Sequence, residues 1–128
     1  MTTPGGDADL RPARLELLPS GHCLVTLAGE VDLAVVPDLI TEFEYAVAHL
    51  SPHLVVDVNA VGFIDSSGLG ALVRTRRIAQ EQGGELALVG ANPQMGELLA
   101  LTRLDELFSL HESVDAAVAG TSFEPPPR

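Results

Sequence analysis

The sequence predicts an α/β fold in which a mixed, mostly parallel β-sheet of about five strands is flanked by about four helices. Short apolar segments typical of strands alternate with longer segments whose apolar residues recur every three or four positions, as in helices. The order is two strands followed by three helix–strand pairs and a last helix. Such alternation requires crossover connections, so at least part of the sheet is parallel.

The first two strands form a predicted hairpin. The segments ARLELLP (13–19) and CLVTLAGE (23–30) are joined by a turn over residues 18–21. Pro19 at the second place and Gly21 at the fourth place suit a type I turn. The next segment, residues 35–50, predicts a helix with Pro37 in its first turn. Its apolar face is expected to contain Val36, Ile40, Phe43, Val47 and Leu50.

The central segments predict a buried strand and a long helix. HLVVDV (53–58) is almost continuously apolar, as expected of a strand covered on both faces. From Ser66 to Gln82 the spacing predicts a helix that Gly83 ends. Its apolar side is formed by Leu69, Leu72, Val73 and Ala79, with Arg76 at the margin and Arg74, Arg77 and Glu81 pointing away.

The last elements follow the same alternation. ELALVG (85–90) predicts another buried strand, and Asn92 with Pro93 opens a helix. That helix has Met95, Leu98, Leu99 and Thr102 on one side. LFSL (107–110) predicts a short strand, and Ser113 caps a final helix that extends to Ala119.

The chain length and the tails predict one domain. A single domain is expected over residues 14–119, because 128 residues suffice for one core. Residues 1–13 are rich in Pro, Gly and Asp, and residues 120–128 are rich in Pro. Both segments are expected to be flexible tails.

The charge and cysteine content exclude several classes of function. There are 18 acidic residues against 7 basic ones, and the formal net charge is −11. Such a chain repels nucleic acid and anionic membranes. The acidic residues could serve to bind a basic patch on another protein or simply to keep the chain soluble. The single Cys23 and four scattered histidines predict no disulfide, no metal site and no cofactor. The N-terminus does not resemble a signal peptide, and a cytoplasmic location is expected.

The segment DSSGLG (65–70) is the main candidate for a functional site. It follows the third strand and opens the second long helix, at the sheet edge where functional loops of α/β proteins lie. The serines could cap the helix, which requires no function. Two hydroxyls exceed what one cap needs, however, and Gly68 and Gly70 would leave them accessible. The polar segment GEVD (29–32), after the second strand, could lie at the same edge.

Catalysis fits the segment poorly. The letters do not match a nucleophile elbow, the chain has no Lys for a P-loop, and Val73 stands where a dinucleotide motif needs Gly. A nucleophilic serine would also need a His base, and only His111 could approach it. The chain is therefore not expected to be an enzyme.

DVNAVGFIDSSGLGALV closely resembles the signature of bacterial anti-sigma factor antagonists, which belong to the STAS domain family. LAGEVDLA, ALVGANPQM and LTRLDELFSLHESVDAAV resemble other parts of the family pattern. The resemblance covers roughly residues 13–119 and implies the STAS fold. An alternative within the family is an accessory subunit of a transport system, or a stress-signalling scaffold, without phosphorylation.

The resemblance implies a partner switch without catalysis by this chain. In the family, the serine after the aspartate is phosphorylated by an anti-sigma factor that is also a serine kinase, and a serine phosphatase resets the switch. The unphosphorylated form binds the kinase and releases the sigma factor. Ser66 would be the acceptor and Ser67 the less favoured one. The implied partner-binding residues are Gly29, Glu30, Asp32, Asp65, Ser66, Ser67, Gly68, Leu69 and Gly70.

Overall fold

The computed structural model describes residues 12–121, which form an α/β sandwich of sheet and helices. Its strands are β1 (Ala13–Leu17), β2 (Cys23–Val31), β3 (His53–Ile64), β4 (Glu85–Val89) and β5 (Ser109–His111). Its helices are α1 (Val36–His49), α2 (Ser66–Glu81), α3 (Pro93–Leu101) and α4 (Val114–Gly120), and a short 3-10 helix spans Leu104–Glu106. Within residues 12–121, no helix combines the length and apolarity that a bilayer crossing requires.

The sheet has the order β1-β2-β3-β4-β5, and the predicted fold class is confirmed. β1 pairs antiparallel with β2, and all the other neighbours are parallel. Each helix from α1 to α3 therefore connects two adjacent parallel strands. Since such crossovers are right-handed, the three helices lie on one face of the sheet.

The two faces of the sheet have separate apolar cores. On the helical side, Phe43, Leu72 and Leu99 from α1, α2 and α3 pack with alternate residues of the strands. On the opposite side, Ala117 of α4 packs with Val55 and other strand residues. The central strands are covered on both faces, which explains their almost continuous apolar sequence.

The first hairpin agrees with the sequence pattern. The Gly21 N–H donates to the Leu18 carbonyl oxygen at 2.9 Å, which closes the predicted turn. Ala13 begins β1 and Gly120 ends α4, so the ordered elements extend by one residue into each expected tail. The rest of those tails, residues 1–11 and 122–128, lies outside the described residues.

β2 and β3 are longer than the sequence predicts. β3 continues six residues beyond the expected end at position 58, and most of the expected loop 29–32 belongs to β2. The ladder continues to the pair Val31–Ile64, with irregularities between Thr26 and Ala28 and at Gly29. Local composition suggested a loop because Gly and polar residues stand there, whereas the pairing of the two strands keeps them extended.

Several side chains lie differently from the predicted pattern. In α1 the buried residues are Leu39, Phe43, Ala46 and Val47, while the expected Val36, Ile40 and Leu50 are only half-buried. In α2, Val73 is also half-buried, and in α3, Thr102 is exposed beyond the last turn. β5 begins two residues later than expected, because a 3-10 turn precedes it. Arg76 lies at the margin as predicted, with its Nε 3.0 Å from the Glu85 carboxylate.

Leu39→Ala is expected to lower the free energy of unfolding by about 2–5 kcal/mol, because the side chain is fully buried and its removal leaves a cavity. Ile40→Ala, one position along, should cost clearly less since Ile40 is half-buried. Urea unfolding of both variants measures the difference. Equal losses, or a larger loss at Ile40, would contradict the observed orientation of α1.

Candidate functional site

The candidate site lies where the β2–β3 ladder ends and α2 begins. The Asp65 N–H donates to the Val31 carbonyl oxygen at 3.2 Å, so the start of α2 is bonded to the end of β2. Ser66 is the first residue of α2 and is exposed, and Ser67 is half-buried. The structure therefore brings the segment 65–70 and the segment 29–32 together at one edge, as the sequence predicts.

Asp65, and neither serine, caps α2. Its Oδ1 accepts the Gly68 N–H at 3.0 Å, and its backbone is extended as a cap requires. The expected capping role of the serines is therefore wrong. Within residues 12–121, the Ser66 side chain makes no hydrogen bond. Its hydroxyl is thus accessible and is not needed by the helix.

Gly68 and Gly70 differ in the space around them and therefore in their structural roles. A Cβ at Gly68 would lie 2.6 Å from Ile64 Cγ1 and 2.7 Å from the Val31 carbonyl oxygen, so only glycine lets α2 approach the strands this closely. Gly68 therefore serves packing rather than access. A Cβ at Gly70 would meet nothing within 4 Å, and Gly70 does leave open space beside the serines. Leu69 is 3% exposed, so its side chain belongs to the core and not to a partner surface.

Asp32 organises the turn after β2. Its Oδ1 accepts the Ala34 N–H at 3.1 Å, and its carbonyl oxygen accepts the N–H groups of Val35 and Val36. The expected kinase contact at Asp32 is thus half-buried and already fixes the turn that leads into α1. Glu30 is exposed on the last part of β2, and Gly29 has a positive φ of 80° that favours glycine.

Two side chains that sequence reasoning missed hold β3 at the site. β4 ends opposite Asp57, so the later carbonyl groups of β3 have no strand partner on that side. Asn92 Nδ2 donates to the Val61 carbonyl oxygen at 3.0 Å, and Gln94 Nε2 donates to the Ile64 carbonyl oxygen at 3.1 Å. Asn92 also caps α3 by accepting the Met95 N–H. The Asn-Pro signal identified the cap but not this second contact, which depends on the length of β3.

The charge around Ser66 is negative. Glu30, Asp32 and Asp65 are on the adjoining segments, whereas Arg74 is eight residues along α2, about 12 Å from Ser66. Arg74 is also paired with Glu44 of α1. A partner that covers this edge would therefore meet acidic groups next to an uncharged hydroxyl.

The histidines do not supply a base to Ser66. His111 pairs with Val89 of β4, and Val89 pairs with Asp57 of β3. His111 therefore lies two strands away from β3, at the level of Asp57, which precedes Ser66 by nine residues. His22 and His53 contact each other at the opposite end of the strands, with ring centroids 6.3 Å apart. Burial, and then repulsion from His22, lower the pKa of His53. Within residues 12–121, no group of three metal-ligating side chains occurs.

Asp65→Ala is expected to cost about 0.5–2 kcal/mol of stability, because the Gly68 N–H loses its acceptor. Ser66→Ala should change stability by less than about 0.5 kcal/mol, since its hydroxyl makes no bond that folding requires. Chemical denaturation compares the two variants. A loss at Ser66 as large as the loss at Asp65 would show that the serine contributes to the cap.

Gly68→Ala and Gly70→Ala are expected to change stability in opposite directions. The first places a methyl group against Ile64 and Val31 and should cost about 1–3 kcal/mol. The second enters open space in a helix and should stabilise by about 0.5–1 kcal/mol. Thermal unfolding of both variants tests this, and a stable Gly68→Ala protein would contradict the tight contact.

Comparison with known proteins identifies the family. The STAS domain profile matches residues 18–117. The chain is 27% identical over 94 residues to the anti-sigma F factor antagonist of Paenibacillus polymyxa, and the aligned region covers 73% of this chain and 80% of that protein. It is 28% identical over 91 residues to the anti-sigma-B factor antagonist of Staphylococcus aureus, and the aligned region covers 71% of this chain and 84% of that protein.

A solved structure agrees with both relatives. The crystal structure of an anti-sigma factor antagonist from Mycobacterium paratuberculosis superposes with a TM-score of 0.77 at 30% identity. The match covers 85% of this chain and 92% of that one. The expected family is thereby confirmed: the chain belongs to the STAS domain family and, within it, to the anti-sigma factor antagonists.

Proposed function

We propose that the unphosphorylated chain binds a cognate anti-sigma factor with serine kinase activity in the cytoplasm and so releases the sigma factor. Phosphorylation of Ser66 ends this binding, and a serine phosphatase restores it. The chain acts as the substrate of phosphate transfer and not as a catalyst. Family membership supports the regulatory role, and the exposed Ser66 hydroxyl supports the switch.

The accessibility of Ser66 is the observation that carries the proposal. A kinase must bring the γ-phosphate of ATP to the hydroxyl oxygen, and Ser66 is exposed on the first turn of α2 with open space at Gly70. Because Asp65 already caps the helix, using the hydroxyl disturbs no bond within the described residues. Ser67 is half-buried in the same turn, which makes it the poorer acceptor.

The transfer itself follows ordinary phosphoryl chemistry. The Ser66 Oγ forms a bond to the γ-phosphorus while the bond from that phosphorus to the bridging oxygen of ADP breaks. The hydroxyl proton passes to a base of the kinase or to water, and ADP leaves with the electron pair of the broken bond. The phosphatase step replaces the Oγ–phosphorus bond by a bond to water oxygen, which releases inorganic phosphate.

The phosphate acts at the interface rather than on the fold. It adds about 1.5–2 negative charges. The dipole of α2 stabilises them by only about 0.3–1 kcal/mol, and the negative charge of Asp65 repels them. A term of this size does not rearrange a packed domain. Burial of the same charge against a partner without matched cations costs several kcal/mol, and each 1.4 kcal/mol lowers affinity about tenfold. The acidic surroundings of Ser66 increase that cost.

Ser66→Ala is expected to abolish phosphate incorporation, while Ser67→Ala, the matched control one residue along, should remain a substrate. The measurement incubates each purified variant with ATP and individual recombinant anti-sigma factor kinases from the same organism, followed by intact-mass and peptide mapping. Phosphate on Ser67 in the Ser66→Ala variant would contradict the assignment. Failure of transfer with every candidate kinase would instead favour the accessory or scaffold roles.

Ser66→Asp is expected to weaken binding to the responsive kinase by at least about tenfold, because the carboxylate imitates part of the phosphate charge. Its urea midpoint should stay close to that of the unchanged protein, since Ser66 is exposed. Calorimetric titration and urea unfolding give the two quantities. A variant that unfolds easily would indicate a change in the fold instead of an effect at the interface.

A further inference from the structure

Two large apolar side chains next to Ser66 are exposed. Leu33 is 70% exposed in the turn after β2, and Phe63 is 44% exposed near the end of β3. Elsewhere at this edge the apolar side chains Val31, Ile64 and Leu69 are buried in the core. Single exposed apolar residues are normal on protein surfaces. A pair of them close to a proposed modification site needs a further explanation.

The backbone places both residues within one contact area with Ser66. Val31 pairs with Ile64, and Leu33 and Ser66 each lie two residues beyond that pair. Phe63 precedes Ile64 and pairs with Glu30. Because Ile64 packs in the core with α1–α3, Phe63 lies on the other face of the sheet at the same edge. Leu33 and Ser66 therefore lie at the same level beyond the end of the ladder, and Phe63 lies three residues before Ser66, roughly 10 Å along the extended chain. A partner that buries about 800 Å² of this chain would cover all three.

We infer that Leu33 and Phe63 are the apolar anchors of the anti-sigma factor interface and insert into an apolar surface of that partner that is bordered by Arg or Lys. This inference rests on the proposed function, because Ser66 defines the partner. Large apolar side chains at the centre of an interface contribute most of its affinity, and charged groups at the rim set orientation and rate. The acidic rim consists of Glu30, Asp32 and Asp65.

The arrangement also explains how a phosphate could act strongly. A dianion beside these two apolar anchors would have to be buried together with them, away from water. The same contacts that give the unphosphorylated form its affinity therefore prevent the phosphorylated form from binding. The affinity and its loss on modification depend on one surface.

The test measures the affinity of the kinase that transfers phosphate to the unchanged chain. Leu33→Ala and Phe63→Ala are each expected to raise the Kd about tenfold or more, and Phe63→Leu to raise it less. Leu101→Ala is the control. Leu101 is 75% exposed at the end of α3, about 12 Å along that helix from its start near β3, and its removal should leave the Kd unchanged. Urea unfolding of each variant verifies that it remains folded. Glu30→Gln should reduce the dependence of the Kd on salt.

The outcomes separate this inference from the proposed function. If the unchanged chain binds and is phosphorylated while Leu33→Ala and Phe63→Ala keep their affinity, the anchors are overturned and the proposed function stands. If no kinase binds or modifies the unchanged chain, the proposed function fails and the inference fails with it. The unchanged chain could instead self-associate in sedimentation experiments, while the two anchor variants are monomers that bind the kinase with unchanged affinity. In that case the surface joins two copies of this chain, and the inference is overturned.

Discussion

The contact of α2 with the end of the β2–β3 ladder is the constraint on which the site depends. The Asp65 N–H bonds to the Val31 carbonyl oxygen, and the absence of a side chain at Gly68 lets the first turn of α2 approach the same carbonyl group. Ser66 lies between these two fixed positions. These contacts hold the first turn of α2 against the end of the ladder, and Ser66 is exposed there.

The long β3 strand requires its own support. Parallel neighbours satisfy its first half, but β4 ends before the site. An unpaired carbonyl group that is shielded from water is costly, and the side chains of Asn92 and Gln94 remove part of this cost at Val61 and Ile64. The start of α3 is thereby bonded to the segment that carries Phe63 and leads to Ser66. The site is thus supported from β2 on one side and from α3 on the other.

A site held by hydrogen bonds from both sides suits the proposed charge-dependent switch. In the proposed switch, the dipole of α2 would offset only a small part of the charge of a phosphate on Ser66, so the modification would change the binding surface more than the fold. The surface combines an uncharged hydroxyl, two exposed apolar side chains and three carboxylates. Every one of these groups is positioned by the ladder end or by the turn that Asp32 closes.

The sequence by itself determined the fold class, the order of the elements and the position of Ser66 at the start of a helix. Periodicity, turn residues and cap residues are local signals, so they can be recognised without knowing which segments meet. Tertiary structure alone decided that Gly68 serves packing, that Leu39 rather than Ile40 is buried, and that Asn92 and Gln94 hold β3. Each of these features depends on which atoms of distant segments come into contact, and a pattern along the chain does not show which distant segments are close in space.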